Sequence, residues 1–502
     1  MANYLYDSVF RKFSYSDKPF LITPQGNISY AEFSAQTNCI ANCITASGVK
    51  PGDRVAVQAE KSVTQLALYV ATIKAGGVYL PLNTGYTPLE LDYFLKDAKP
   101  AVIVVSEGIQ ETIAPIAKYL KAHLLTLNPN GTGTLKAKAK GTSRQFASVA
   151  RDSEDLAAIL YTSGTTGRSK GAKICHRNLV SNAQVLADTW QFTEDDTLLH
   201  MLPIYHTHGL FVACNLLATV GGSMIFLRKF SIENVLTWLP QATTMMGVPT
   251  FYTRLLECEK FTTKTSEHVR LFISGSAPLL AETHNLFKAK TGQLILERYG
   301  MTETNMSTSN PYNGPRLAGT VGQALPGVDL RIVDTKTGKP VSTGEIGIIE
   351  LKGDNVFLGY WEMAEKTAEA FREDGYFITG DMAQQDANGY VTIVGRDKDL
   401  IISGGLNIYP KEIEAIIDEL DGVVESAVIG VAHKDFGEGV VAVVVASDRA
   451  LSEENIKKFL KDKIAKFKQP KEVFFVASLP RNTMGKVQKT ELRKTYENVF
   501  IS

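Results

Sequence analysis

Short apolar runs alternate with amphipathic stretches along the first part of the chain. The turn Gly52-Asp53-Arg54 leads into the strand-like run VAVQAE at 55–60. A helix is predicted over 62–75, then a turn and strand over 76–82 (GGVYLPL). The run AVIVVS at 101–106 is apolar on both faces, as expected of a strand in a parallel sheet that is covered on both sides. Strand, loop and helix recur around 157–161, 222–227 and 271–274. The pattern predicts an α/β fold with helices on both faces of parallel-rich sheets. Residues 128–145 are polar and rich in Gly, Lys and Thr, which predicts an exposed insertion.

The rhythm changes near Ala318. Turn pairs now come close together: Pro326-Gly327, Thr337-Gly338, Thr343-Gly344, Asp374-Gly375 and Asn388-Gly389. Short strands at 329–333, 347–352 and 390–394 predict an all-β segment of hairpins. Beyond Arg396 the pattern reads helix 409–419, strands 423–431 and 439–446, and helix 452–463, a small α+β module. The expected organisation is an N-terminal domain over 1–395, with a β-barrel-like subdomain from about 318 to 395, and a C-terminal lid over 396–502. The charged run Gly395-Arg396-Asp397-Lys398-Asp399 is the expected hinge.

Composition narrows the class. A chain of 502 residues exceeds one ordinary domain. Its 53 basic and 53 acidic residues cancel, so no bulk field favours nucleic acid or an anionic membrane. No run reaches the roughly 18 apolar residues of a membrane span. The first twenty residues are polar and mixed, unlike a signal or transit peptide, and the final FIS is not a peroxisomal SKL. Five scattered cysteines suit a reducing compartment, so a cytoplasmic protein is expected. Cys39 and Cys43 lie four apart, but no further Cys or His pair completes a metal site, so they read as small apolar residues.

Candidate chemistry begins with Thr162, Ser163, Gly164, Thr165, Thr166 and Gly167, followed by Arg168-Ser169-Lys170. Glycines let the backbone approach a ligand and turn successive N–H groups inward. Hydroxyls add short donors and Lys170 adds charge, so the loop suits a polyphosphate. Its spacing is not that of the GxxxxGK(S/T) P-loop. Gly275-Ser276-Ala277-Pro278 sits at the end of an apolar strand, where open α/β sheets bind ligands. Glu297-Arg298-Tyr299-Gly300-Met301-Thr302-Glu303 reads as a segment that follows another strand. Asp381 ends the run FITGD, and Lys486 lies in the turn PRNTMGK.

Taken in this order, the motifs resemble the adenylate-forming superfamily of acyl-CoA synthetases, luciferases and peptide-synthetase adenylation domains, over nearly the whole chain. The resemblance implies that a carboxylate is joined to the α-phosphate of ATP, releasing diphosphate, and that the CoA thiol then displaces AMP. It implies that Thr162 to Lys170 grip the β- and γ-phosphates. Ser276, Ala277, Pro278, Glu297 and Tyr299 would flank the nucleotide, Thr302 would approach the α-phosphate, and Glu303 with Thr162 would hold Mg²⁺. Asp381 would bond the ribose with Arg396 close by. Lys486 would bridge the carboxylate and the α-phosphate. The lid would turn about Lys398 and bring Ser403, Gly404 and Gly405 to the CoA arm. Acetylation of Lys486 would erase its charge, which makes a lysine acetyltransferase and deacetylase expected partners.

Most of the family has proline before the loop lysine, where this chain has Arg168-Ser169. An apolar acid would want an apolar pocket without spare charge. The chain instead offers PIYHTHG at 203–209, TFYTR at 250–254 and Arg298. Arginine binds carboxylates bidentately, so a second carboxylate on the acid is expected. With RSKGA, GVPTFYTRLL, ERYGMTETNM and LPRNTMGKVQK, these features resemble the malonate-activating branch of the family. That resemblance implies Arg254, Arg298, Ser276 and His206 around the distal carboxylate, with Thr207 and Met306 limiting branching at the middle carbon. His206 and His208 form an H-x-H pair, but no third metal ligand is evident. A short-chain or aryl monocarboxylate–CoA ligase is the alternative. A peptide-synthetase-like adenylation domain is a weaker reading, since it would need an acidic residue to meet an amino group, and intact Glu303, Asp381 and Lys486 argue against an inactive binding protein.

Overall fold

The helix Val63–Lys74 shows how the first half is built. Ser62 caps it, its side chain accepting from the amide of Gln65, and every residue from Thr64 to Lys74 is buried. A helix apolar on all sides belongs inside a large core, and this one joins a cluster with side chains from two sheets, including Val55, Val57, Leu198 and Met224. The structure is a computed structural model and describes residues 2–162, 169–403, 406–434, 436–447, 450–461, 463–482 and 485–500.

The chain packs into two units, Met1–Asp329 with Leu351–Phe377, and Leu330–Glu350 with Ile378–Ser502. The first unit holds two large sheets. In the six-stranded sheet the order is His123–Thr126, Val102–Val105, Arg54–Gln58, Val78–Pro81, Leu156–Thr162 and Lys170–Cys175. Its strands are parallel except for the last pair. The nine-stranded sheet runs Gln323–Ala324, Asn305–Ser309, Ile295–Met301, Leu271–Ser274, Thr244–Gly247, Thr197–His200, Ser223–Phe226, Pro19–Thr23 and Gly26–Ser29. Its central strands are parallel and its edges antiparallel. The predicted parallel-rich α/β architecture is therefore observed.

Strands Val328–Val333, Gly347–Gly353, Phe377–Gln385 and Val391–Arg396 form a four-stranded sheet in that order. The second unit also carries the sheet Leu406–Ile408, Ile401–Ser403, Gly437–Ala446, Val423–His433, with Glu472–Phe475 beside Gly437–Ala446. Side chains alternate between its faces. Val428, Val440, Ala442 and Val444 pack under the helices Pro410–Ile417 and Glu453–Leu460. Ala427, Ile429, Val441 and Val443 pack under Leu492 of the helix Lys489–Thr495. This is the predicted α+β module. Among the described residues no helix is long and apolar enough to cross a membrane.

Three expectations are corrected. Residues 128–145 are not simply an exposed insertion. The helix Thr134–Ala139 buries Leu135 and Ala139, an i,i+4 pair, in the main core, and Asn42 Nδ2 donates to the carbonyls of Ser143 and Gln145. The segment from 318 to 395 is not all β, because the helix Ala364–Ala370 lies within it. Finally, Glu297 to Met301 do not follow a strand: they are part of Ile295–Met301.

One polar tie holds the amino end of the central strands. Arg270 forks onto Asp196, Nε to Oδ1 at 2.8 Å and Nη2 to Oδ2 at 2.7 Å. Thr243 Oγ1 and the Thr193 amide also donate to this carboxylate, at 2.7 and 2.9 Å. Burial pushes the Asp196 carboxyl up, but the Arg270 fork and the other donors outweigh it and hold it below the usual carboxylate range. Arg270→Met strands a buried carboxylate, so a loss of about 3 kcal/mol is expected in urea unfolding at neutral pH. The contribution of a depressed carboxyl is complete above the ordinary carboxylate range and lost as pH falls through its folded value. The gap between wild type and variant therefore narrows in acid; a gap independent of pH would contradict this.

Candidate functional site

In the nine-stranded sheet, the carboxyl ends of four parallel strands line up. Met246 lies beside His200, Gly247 beside Ser274, and Ser274 beside Glu297. Ligands of open α/β sheets bind outside such ends. The loops that leave them carry His206, Thr207, Ser276, Ala277, Pro278, Thr302 and Glu303, while Glu297, Arg298 and Tyr299 lie in the strand Ile295–Met301 itself.

Arg298 continues one strand and is only 3% exposed. Its Nε and Nη2 are buried without hydrogen-bond partners. Among the described residues no carboxylate forms an ion pair with it. Burial pushes its guanidinium down to about 9, with only the Tyr252 phenol opposing. The guanidinium lies against Gly275, where a Cβ would collide with Cζ, Nη1 and Nε of Arg298. Glycine at 275 is thus required by the close approach of the arginine.

Ser276 follows with φ of 72°, a left-handed conformation that is uncommon for a side-chain-bearing residue. Its Oγ lies 3.1 Å from Nδ1 of His208. Burial, reinforced by the positive charge of Arg298, holds His208 well below the usual imidazole range, so the ring is neutral. Its Nε2 is buried without a partner, as are Ser274 Oγ and Thr207 Oγ1. His208, Ser276 and Arg298 therefore form one group. His206, the histidine singled out from the sequence, is half-buried, and its Nδ1 accepts from the His208 amide at 3.5 Å. His208 was visible in the sequence only as the second half of H-x-H. From His208 to Asn215 the chain winds in π-helical turns, and a Cβ on Gly209 would collide with the Pro203 carbonyl.

Met306 is buried opposite Gly300. Asn182 grips its backbone on both sides, Nδ2 donating to the carbonyl at 2.9 Å and Oδ1 accepting from the amide at 3.3 Å. Ala277 and Pro278 are exposed, Glu297 is buried, and Tyr299 and Thr302 are half-buried. Arg254 is exposed on the helix Pro249–Glu257, whose buried residues are Tyr252 and Leu255. Two residues from Tyr252, it lies on another side of the helix. Among the described residues no hydrogen bond or ion pair joins it to Arg298, Ser276 or His208.

The polar loop at 162–170 joins two antiparallel strands, with Thr162 opposite Lys170. Ser163, Gly164, Thr165, Thr166, Gly167 and Arg168 lie outside the described residues. The base of the loop is anchored by aromatic side chains. Tyr93 OH donates to the Ser169 carbonyl at 2.8 Å, Thr162 Oγ1 donates to the Lys170 carbonyl at 3.4 Å, and Lys170 Nζ stands 4.6 Å from the centre of the Tyr360 ring. The hydroxyl of the same tyrosine donates to Glu303 Oε1 at 3.1 Å. Tyr360 thus places a cation and a buried carboxylate on either side of itself.

In the second unit, Asp381 and Arg396 are register partners, with Nε 2.6 Å from Oδ1. Arg396 Nη1 also donates to the Thr379 carbonyl at 3.2 Å. Lys398 is an exposed residue of the helical turn Asp397–Asp399, with its ammonium partly shielded from water by its neighbours. Burial lowers its ammonium below the usual range; Asp399 opposes this, and Arg396, Arg493 and Lys486 add to it. Ser403 is buried and pairs with Gly437 and Leu406. Gly404 and Gly405 lie outside the described residues. Lys486 is exposed beside a turn closed by the Arg481–Val487 bridge, its amide donating to Asn482 Oδ1 at 3.0 Å.

Comparison with known proteins agrees with this arrangement. The AMP-binding enzyme family matches residues 11–361, and the AMP-binding enzyme C-terminal domain matches 412–486. The malonate–CoA ligase of Arabidopsis thaliana is 34% identical over 485 residues, 90% of this chain and 79% of that protein. The mitochondrial malonate–CoA ligase of Mus musculus is 33% identical over 528 residues, covering 96% and 89%. The ATP-bound MatB of Rhodopseudomonas palustris superposes with a TM-score of 0.97 at 56% identity over 99% of each chain. An anthranilate–CoA ligase in complex with anthranoyl-AMP superposes at 0.91 and 26% identity, covering 100% of this chain and 98% of that one. With the family's two parts matched in order over 11–361 and 412–486, and relatives above 30% identical along nearly the whole chain, this chain belongs to the AMP-binding enzyme family.

Proposed function

We propose that the chain is a malonyl-CoA synthetase. A malonate carboxylate oxygen attacks the α-phosphorus of ATP, the bond to the β-phosphate breaks, and diphosphate leaves. The CoA thiolate then attacks the acyl carbon, and AMP departs as malonyl-CoA forms. Methylmalonate is the expected second substrate. The observation that carries the reading is Arg298. A buried guanidinium without a carboxylate partner is costly, and a ligand carboxylate offsets that cost with paired charge-assisted hydrogen bonds. A monocarboxylate pocket would leave this charge uncompensated. Malonate keeps one carboxylate for Arg298 while the other reacts.

His208 apart, the remaining roles are those the family resemblance implies. Neutral His208 and the Ser276 hydroxyl offer further hydrogen bonds to the distal carboxylate, with His206 and Arg254 at its margin. Thr207 and Met306 bound the middle carbon. Thr162, Ser163, Gly164, Thr165, Thr166, Gly167 and Lys170 receive the phosphates; Ala277, Pro278, Glu297 and Tyr299 flank the adenine, and Thr302 the α-phosphate. Asp381, steadied by Arg396, takes the ribose. Glu303 and the Thr162 hydroxyl are hard oxygen donors of the kind Mg²⁺ uses, since this ion takes one or two carboxylates and completes its shell with phosphate and water. Bound there, Mg²⁺ supplies neutralising charge. Lys486 brings a cation to the two anionic reactants. We take residues 396–502 as a lid that turns about Lys398, exchanging Lys486 for Ser403, Gly404 and Gly405 between the two half-reactions. Free thiols at all five cysteines suit the cytoplasm.

Diphosphate release should depend on malonate and far exceed that with acetate or benzoate; good release with the monocarboxylates and none with malonate would sink the reading. Arg298→Met separates binding from stability. It should cost at least about 2 kcal/mol in kcat/KM for malonate, yet stabilise the ligand-free protein by about 1–4 kcal/mol in urea unfolding, because a buried charge gives way to an apolar chain of similar size. Lower stability with unchanged kcat/KM would reverse the assignment. Arg254→Ala should raise malonate KM, and an unchanged KM removes that residue from the pocket. Acetylated Lys486 should block adenylation and spare thioester formation from supplied malonyl-AMP; equal loss of both steps would contradict its role and the expected acetyltransferase control.

A further inference from the structure

Lys61 is a second buried cation in the first unit, 5% exposed, immediately before the cap of the helix Val63–Lys74. A helix amino end disfavours positive charge, and among the described residues no carboxylate lies within ion-pair distance of Lys61. Its ammonium has three acceptors instead. Nζ lies 2.9 Å from His200 Nδ1 and 3.0 Å from the His200 carbonyl, and it stands 4.3 Å from the centre of the Phe226 ring. Three N–H groups meet a ring nitrogen, a carbonyl and a π face.

The proton order in this cluster is fixed by its geometry. His200 Nε2 lies 2.8 Å from the Gly209 carbonyl. A carbonyl can only accept, so Nε2 carries the proton and Nδ1 is left to accept from Lys61. Burial, then the charge of Lys61, holds His200 well below the usual imidazole range, which keeps the ring neutral as this requires. Cys214 Sγ, 3.2 Å from the same Gly209 carbonyl, also donates to it. His200 ends its strand and Gly209 follows His208, so the imidazole closes the base of the loop 201–208. That loop carries His206, Thr207 and His208.

We infer that Lys61 is a positioning residue for the acid pocket: through His200 and the Gly209 carbonyl it sets where Thr207 and His208 stand relative to Ser276 and Arg298. A burial cost without an acidic partner is then offset by order in the loop. Burial pushes the Lys61 ammonium down to about 7, and with or without its extra proton Nζ keeps N–H groups to donate to His200. The inference rests on the assignment of this loop to the acid pocket.

Lys61→Met keeps the chain length and removes the donors. It should raise malonate KM on the order of 10–100-fold while the ATP KM stays within about twofold of wild type. His200→Asn should behave alike, and the double variant should be little worse than either single one, as expected for residues acting in series. Equal shifts in both KM values, or additive losses, would overturn the inference. Nitrogen-15 NMR of the imidazoles in the intact wild-type enzyme gives a readout independent of both the acid and the folding of variants. His200 should be neutral with its proton on Nε2 near neutral pH. A proton on Nδ1, or on both nitrogens, would overturn the relay. Because this spectrum involves no carboxylate substrate, it stands even if the substrate panel shows that malonate is not the acid.

Discussion

A guanidinium held out of water with nothing charged against it constrains everything around it. Arg298 cannot shed its charge cheaply, so the surrounding protein has to accommodate that charge. Gly275 gives up its side chain to let the planar group lie against the backbone. Ser276 takes a left-handed conformation directly afterwards and turns its hydroxyl to His208. His208 stays neutral because burial and the neighbouring arginine both disfavour a second positive charge. Packing at Gly275 and protonation at His208 thus follow from one buried cation, with Ser276 linking the two.

Lys61 and Arg298 are both buried cations, but the protein treats them differently. Lys61 has its donors engaged by His200 and the Phe226 face. Arg298 keeps Nε and Nη2 unengaged. Satisfied polar clusters rigidify, while unsatisfied ones mark a place where a ligand completes the set. The contrast separates a cation whose donors are met within the protein from one whose donors are left for a ligand to meet, although residue type and burial alone would rank them together.

The layered α/β architecture was legible because buried strands and helices leave simple periodic traces. Ser62 announced the helix it caps, and the apolar run at 101–106 announced a covered strand. Polar segments were harder to read. Residues 297–301 look like a loop because the strand turns polar at its carboxyl end, where Glu297, Arg298 and Tyr299 follow the apolar run Ile295-Leu296. Leu135 and Ala139 disappear in a Lys-rich segment, although two small apolar contacts suffice to dock a short helix. At the site, the candidate phosphate loop, Arg298, Ser276 and Asp381 with Arg396 could be picked out from motif and order. His208 and Lys61 could not. H-x-H is equally a metal pattern, and a lysine before a capping serine normally reads as a solvated helix start. Both owe their roles to partners far away in the chain, and a single sequence does not print such distances.

The way the backbone is shared between the two units has its own consequence. The chain passes from one unit to the other after Asp329, returns after Glu350, and leaves again after Phe377. No single cut therefore separates the two units: a break after Asp329 leaves 351–377 attached to the second unit's chain, and a break after Phe377 leaves 330–350 attached to the first. An exchange of segments between related genes also respects this division only when it has several boundaries, so a chimera joined at one point inherits a second unit of mixed parentage.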